Sequence, residues 1–213
     1  LQTCSAGMRH VLEIARQHKA KFLFASSAEV YGQPEVSPQY EEYAGNVHPT
    51  GPRSAYEEGK RFAESLAALY AQKYEIDTRI VRIFNTFGPG MSLEDSRVIP
   101  QFLNSVLHGK ELRIYGDGTQ TRTHLYVDDL VAGLRLVLEK GTRGEIYNVG
   151  GSVQTSVKEL AHTILKVTKR TNGITYHKHF IEDHTHRLPA TEKVQNLGWR
   201  QRVTLEEGLR KMC

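Results

Sequence analysis

Residues 53–85 read RSAYEEGKRFAESLAALYAQKYEIDTRIVRIFN. The opening stretch is rich in Glu, Lys, Arg, Ala and Leu, side chains that cost a helix little, and it predicts a helix over 53–74. The closing stretch, TRIVRIFN, is an apolar, β-branched run of strand length. The same pair stands earlier in the chain. Helical periodicity covers about 7–18, with Val11, Leu12, Ile14 and Ala15 on the apolar side, and the short apolar run KFLFASS follows at 21–27. Helix, strand, helix, strand predicts an α/β protein built on a parallel sheet with covering helices. Between the first strand and second helix lies YGQPEVSPQYEEYAGNVHPTGP, 22 residues of turn chemistry. Loops of that length are often functional.

Beyond Met91 the rhythm changes. A helix is expected over 97–108, a strand at ELRIYG, a segment DGTQTRTHLYV, a helix over 127–140, a strand at EIYNVG and a helix over 156–170. A short strand GITYH, a charged His-rich loop and two final helical pieces complete the chain. The expected division is 1–90 as the larger unit and 91–213 as a smaller α/β lobe with segments interleaved with the first.

Composition narrows the function classes. Of 213 residues, 24% are charged and 39% hydrophobic, with a net charge of +4 that forms no basic block. No nucleic-acid footprint is expected. Cys4 and Cys213 sit near opposite ends, so neither a disulfide framework nor a metal site is indicated, and a reducing, cytoplasmic setting is expected. No apolar run reaches the ~20 residues that span a bilayer. The chain opens without methionine near the beginning of a helix, which reads as an entry into a longer polypeptide.

Tyr56 and Lys60 are four residues apart and share one face of the 53–74 helix. An ammonium beside a phenol favours the phenolate, which can take a proton from an alcohol as hydride leaves the same carbon. Ser26, Ser27 and Glu29 follow the C-terminal end of the 21–27 strand, where open parallel sheets bind ligands. A cap or turn serine and a solvated loop carboxylate are the plainer readings of these three.

The phrases SSAEVYG, GPRSAYEEGKR, RIFNTFGPG, RVIPQF and YGDGTQTRTHLYVDDL, in this order, resemble the extended short-chain dehydrogenase/reductases, the NAD-dependent epimerases and dehydratases of nucleotide sugars. The resemblance is greatest to the branch that decarboxylates UDP-glucuronate to UDP-xylose through a 4-keto intermediate. It covers nearly the whole chain and implies a Rossmann-like doubly wound sheet with a smaller substrate lobe, NAD as cofactor and a homodimer. It further implies that Tyr56 is the catalytic base, with Lys60 as its partner on the cofactor ribose. Ser27 is implied on the sugar's C4 oxygen and Glu29 near C5. Asn85, Val98, Tyr115, Gln120 and Arg122 are implied around the nucleotide and its phosphates, and Arg187 as positioning the substrate. A guanidinium fork suits phosphate oxygens. Leu66, Leu69 and Tyr70 are the candidates for a dimer face, or else for the core.

Three departures accompany the resemblance. Ala28 stands where decarboxylases carry serine and 4,6-dehydratases aspartate; Gly90 replaces an arginine; Ala190 replaces an aspartate after Pro189. The glycine-rich turn that cradles a dinucleotide pyrophosphate is not in this sequence. A 4-epimerase, a 4,6-dehydratase and a non-catalytic fragment of the family therefore remain as alternatives.

Overall fold

The structure, a computed structural model, describes residues 1–178 and 186–213. A π-helical turn, Thr3–Gly7, leads into α1 (Met8–Gln17), which is followed by β1 (Phe22–Ser27) and a 3-10 turn, Ala28–Tyr31. After the long loop come α2 (Ser54–Tyr74), β2 (Thr78–Ile83), β3 (Thr86–Phe87), α3 (Val98–Leu107), β4 (Leu112–Tyr115), β5 (Thr121–Thr123) and β6 (Leu125–Tyr126). The chain continues through α4 (Val127–Lys140), β7 (Ile146–Val149), β8 (Gln154–Ser156), α5 (Val157–Thr168), β9 (Ile174–His177), β10 (His186–Arg187), α6 (Glu192–Asn196) and α7 (Leu205–Arg210). Part of the expected His-rich loop, residues 179–185, lies outside the described residues.

The main sheet has the order β1–β2–β7, every pairing parallel. Ile80 and Val81 explain why TRIVRIFN lacks an alternating pattern. Ile80 packs into the core of α1 and α2, with Met8, Leu12, Ala63 and Ala67, whereas Val81 packs into the core on the opposite face with Val137, Val149 and Trp199. A strand covered on both faces has no polar side to show. The second lobe has its own core, in which Phe102 and Leu103 of α3 meet Leu112 and Ile114 of β4 and Leu160 and Ile164 of α5.

The first helix corrects one expectation. Leu12 and Ala15 are buried, but Val11 and Ile14 face outward at 44% and 56% exposure. Met8, Leu12 and Ala15 are the residues that share a stripe at helical spacing; Val11 and Ile14 lie beside it. The candidates Leu66, Leu69 and Tyr70 divide similarly: Tyr70 is core, Leu66 packs against the core and Leu69 is exposed.

One buried cluster joins α2, the sheet and the long loop. Arg82 of β2 donates to both carboxylate oxygens of Glu64 on α2, to the Tyr31 hydroxyl at 3.0 Å and to the Glu41 carbonyl at 2.8 Å. Ser26 donates to the same Glu64 carboxylate at 2.6 Å, and Tyr31 donates to Asn148 Oδ1 on β7 at 2.8 Å. Burial alone lowers the pKa of Arg82, but Glu64 and Tyr31 outweigh it and hold the guanidinium firmly charged. Removing one member strands the other's charge in the interior. Glu64→Gln is therefore expected to cost about 3–5 kcal/mol in urea unfolding, and the apolar pair Glu64→Leu/Arg82→Leu markedly less. Equal losses in the two variants would show that the pair is not acting as a buried unit.

Candidate active site

A cleft of about 470 Å³ opens between the main sheet and the second lobe. Its walls come from the segment after β1 (Glu29), the start of α2 (Arg53), the β2–β3 connection (Asn85), the start of α3 (Arg97, Val98), β4 (Arg113, Tyr115), the β5 region (Gln120, Arg122, His124) and β10 (Arg187). Five arginines thus face one carboxylate among the described residues of the wall. A cleft lined by one sign of charge draws anions.

Glu29 sits at the centre of this charge. Its Oε2 is 2.9 Å from Nη2 of Arg53 and 2.9 Å from Nη2 of Arg187. Arg187 is buried, and its Nη2 also donates to the Gly32 carbonyl at 3.3 Å, but its Nη1 has no hydrogen-bond partner. Burial pushes the Arg187 pKa down; Glu29 opposes that, while Arg122 and Arg53 add to it. The segment from Arg187 to Ala190 is held by backbone. Gln39 exchanges main-chain hydrogen bonds with Leu188 and Ala190, at 2.8 Å each, and its side chain accepts from Leu188 N–H at 3.0 Å. Those bonds anchor the segment that presents Arg187.

The structure brings seven of the ten sequence-derived site residues onto the cleft wall: Glu29, Asn85, Val98, Tyr115, Gln120, Arg122 and Arg187. The Gln120 amide donates to the Tyr115 carbonyl at 2.8 Å, and Arg122 Nη1 donates to the Thr121 carbonyl at 2.8 Å, which ties this segment to its own backbone. Ser27, Tyr56 and Lys60 do not line the cleft; Ser27 stands two residues before Glu29 of its wall, and Tyr56 three residues after Arg53. Ser27 Oγ accepts the Glu29 N–H at 3.2 Å and so caps the 3-10 turn, leaving its own hydroxyl proton to give. Lys60 Nζ donates to the Ala25 carbonyl at 2.8 Å and lies 5.8 Å from the Tyr56 ring centroid. Tyr56 is 49% exposed, and Arg97 stands on the cleft wall. Asp95 is the main influence on that arginine, and Arg97 in turn holds the Asp95 carboxyl down at about 2.

Sequence reading missed Arg53, Arg97, Arg113 and His124. Arg53 carried a signal, since it lies three residues before Tyr56 at the start of the same helix. His124 carried none. It is buried beside Phe87, edge to face at 6.3 Å, and burial, aided by Arg122, pushes its pKa down to about 4.

The NAD dependent epimerase/dehydratase family model matches residues 1–150. UDP-glucuronic acid decarboxylase 1 of Xenopus tropicalis is 40% identical over 212 residues, which are 99% of this chain and 50% of that protein. The chain thus spans about half the length of this curated relative. Among solved structures, UDP-glucose 4-epimerase of Thermotoga maritima, crystallised with UDP-glucose, superposes with a TM-score of 0.91 at 28% identity, over 99% of this chain and 68% of that one. The UDP-glucuronic acid 4-epimerase of Bacillus cereus, in complex with UDP-glucuronic acid and NAD, gives 0.85 at 27% identity, over 99% and 66%.

The histidine makes the cleft lobe sensitive to acid. Unfolded, His124 takes up a proton as pH falls below its ordinary value near ~6.5; folded, it resists until about 4. Its contribution is therefore intact above ~6.5 and declines by about 1.4 kcal/mol per pH unit down to its folded value. Between pH 7 and pH 5, urea unfolding should lose about 2 kcal/mol more in the native chain than in His124→Phe. The same decline in both would remove His124 as the cause.

Proposed function

Because the chain belongs to the NAD dependent epimerase/dehydratase family, we propose that its cleft takes a nucleotide sugar and that, in a complete enzyme, it converts UDP-glucuronate to UDP-xylose and CO₂. The observation that carries this reading is the arginine-lined cleft beside the exposed phenol of Tyr56, with Glu29 between them and the buried Arg187. A nucleoside diphosphate sugar with a carboxylate offers the spread of negative charge that such a wall complements.

The residues present fit the nicotinamide-ribose end of NAD. Lys60 holds its ammonium at the C-terminal end of β1 and within reach of the Tyr56 ring, where one cation can serve a ribose and a phenol together. Held at its ribose by Lys60, NAD⁺ would supply the hydride acceptor for oxidation at the sugar's C4 and the hydride for its later reduction. Tyr56 takes the proton of the C4 hydroxyl, with Lys60 favouring the phenolate. Ser27 donates to the C4 oxygen. Oxidation at C4 makes the sugar a β-keto acid. The bond from C5 to the carboxylate then breaks, its electron pair passes into the C4 carbonyl as an enolate and CO₂ leaves. Glu29 lies near C5, where a proton must be added afterwards. Arg122, Gln120, Tyr115, Asn85 and Val98 hold the diphosphate and nucleoside.

One observation favours a second reading. Arg53 flanks Glu29 at the rim of the cleft, and a guanidinium that kept hold of a substrate carboxylate throughout the cycle, rather than only on binding, would retain it, as 4-epimerisation of UDP-glucuronate requires. Products separate the two. UDP-glucuronate and NAD⁺, given to a form of the chain provided with a glycine-rich dinucleotide cradle, should yield UDP-xylose and CO₂. UDP-galacturonate without CO₂ would replace the decarboxylase reading with the epimerase one, and no turnover would support a non-catalytic fragment. In the active form, Tyr56→Phe should slow turnover by about 10²- to 10⁴-fold while UDP binding persists.

The proposal includes a homodimer formed through α1 and α2, whose outward faces carry Val11, Ile14, Phe62 and Leu69. Leu69→Asp should then shift sedimentation from dimer to monomer; an unchanged species would exclude that face. No helix among the described residues is long and apolar enough to cross a membrane, and the free thiols of Cys4 and Cys213 fit a cytoplasmic setting.

A further inference from the structure

Glu29 shares one carboxylate oxygen between two arginines that differ in freedom. Arg187 is 5% exposed, belongs to a strand, and is tied to the Gly32 carbonyl as well as to Glu29. It cannot leave. The Arg53 side chain is 49% exposed on the rim of the same cleft, 2.9 Å from Glu29 and 3.7 Å from Glu57 on the first turn of its own helix. Were Arg53 to turn toward a ligand, Glu29 would keep Arg187 and Arg53 would keep Glu57. Neither carboxylate would be stranded, so the exchange avoids the cost of an unpaired charge in a half-buried site. Among the described residues Nη1 of buried Arg187 has no acceptor, a second sign that this corner has a donor to offer.

Resting on the reading of the cleft as a nucleotide-sugar site, we propose that Arg53 is the residue that selects a sugar bearing a carboxylate at C5, exchanging Glu29 for the substrate's acid. A guanidinium presents a planar fork that a carboxylate matches with two parallel hydrogen bonds. The hydroxymethyl group of a neutral hexose offers no charge and no matching pair of acceptors. Arg122 serves the diphosphate, which acidic and neutral sugar nucleotides share, and Arg187 is held by Glu29 and the Gly32 carbonyl, so neither distinguishes them. Arg53 acts on choice of substrate and requires no bond to form or break.

Calorimetric titration of the 213-residue chain with UDP-glucuronate, UDP-glucose and UDP tests this. Arg53→Gln should weaken UDP-glucuronate by about 10- to 100-fold and leave UDP-glucose and UDP within about twofold. Arg53→Lys should keep part of the preference, since the charge remains and the fork does not. A thermal melt matching the native chain establishes that the variants are folded, as expected for a rim side chain. Equal weakening of all three ligands, or none for UDP-glucuronate, overturns the assignment of Arg53 and leaves the nucleotide-sugar reading standing. Failure of the native chain to bind any of the three overturns both.

Discussion

A single buried ion pair, Arg82 with Glu64, sets where the helix bearing Tyr56 and Lys60 stands against the main sheet. Arg82 lies in the middle strand of the main sheet, and its partner lies on the helix that carries Tyr56 and Lys60. Ser26 on β1 closes onto the same carboxylate, and Lys60 one helical turn earlier closes onto the carbonyl of Ala25. Two neighbouring residues of β1 are thereby gripped from side chains one turn apart on α2. The helix cannot rotate or slide without stranding a charge. Buried pairs of this kind add little net stability compared with an apolar replacement, because desolvation offsets their attraction. What they contribute here is position.

The same pair reaches beyond the helix. Arg82 also holds the Glu41 carbonyl and the Tyr31 hydroxyl, and Asn148 receives Tyr31 while its backbone N–H donates to Glu41 Oε1 at 2.8 Å. The loop from 31 to 52 is thus bolted to β2 and β7 through polar contacts, while Tyr31 and Tyr43 pack beside Phe84. Gln39, within that loop, then anchors the segment that delivers Arg187 to the cleft. From the sheet outward, one network fixes the helix with the dyad, the turn with Glu29 and the strand with Arg187. The second lobe adds the remaining arginines.

Length and burial decide how much of this was legible in the sequence. TRIVRIFN was readable because it is covered on both faces, and the helix of 53–74 because it is long and rich in helix formers. The two-residue ladders of β3 with β6, and of β10 with β5, were not, since strands this short leave no period to detect. Ser27 turned out to be both a turn cap and a neighbour of the cleft, so the plain and functional readings of its hydroxyl were never exclusive. Gly90 has φ of +85° with open space where a Cβ would point, so the glycine suits a left-handed turn between β3 and α3. Arg53, Arg97, Arg113 and His124 are drawn together by tertiary packing alone. Single charged residues far apart in the chain give no spacing that reveals such a convergence.

The most direct test of the account is a crystal structure of the cradle-bearing form with NAD and UDP-glucuronate. The account predicts the sugar's C4 oxygen within hydrogen-bonding distance of both Tyr56 Oη and Ser27 Oγ, the diphosphate against Arg122, and the Arg82–Glu64 pair intact beneath them. A sugar seated elsewhere, or a phenol turned away from C4 with the ion pair undisturbed, would contradict it.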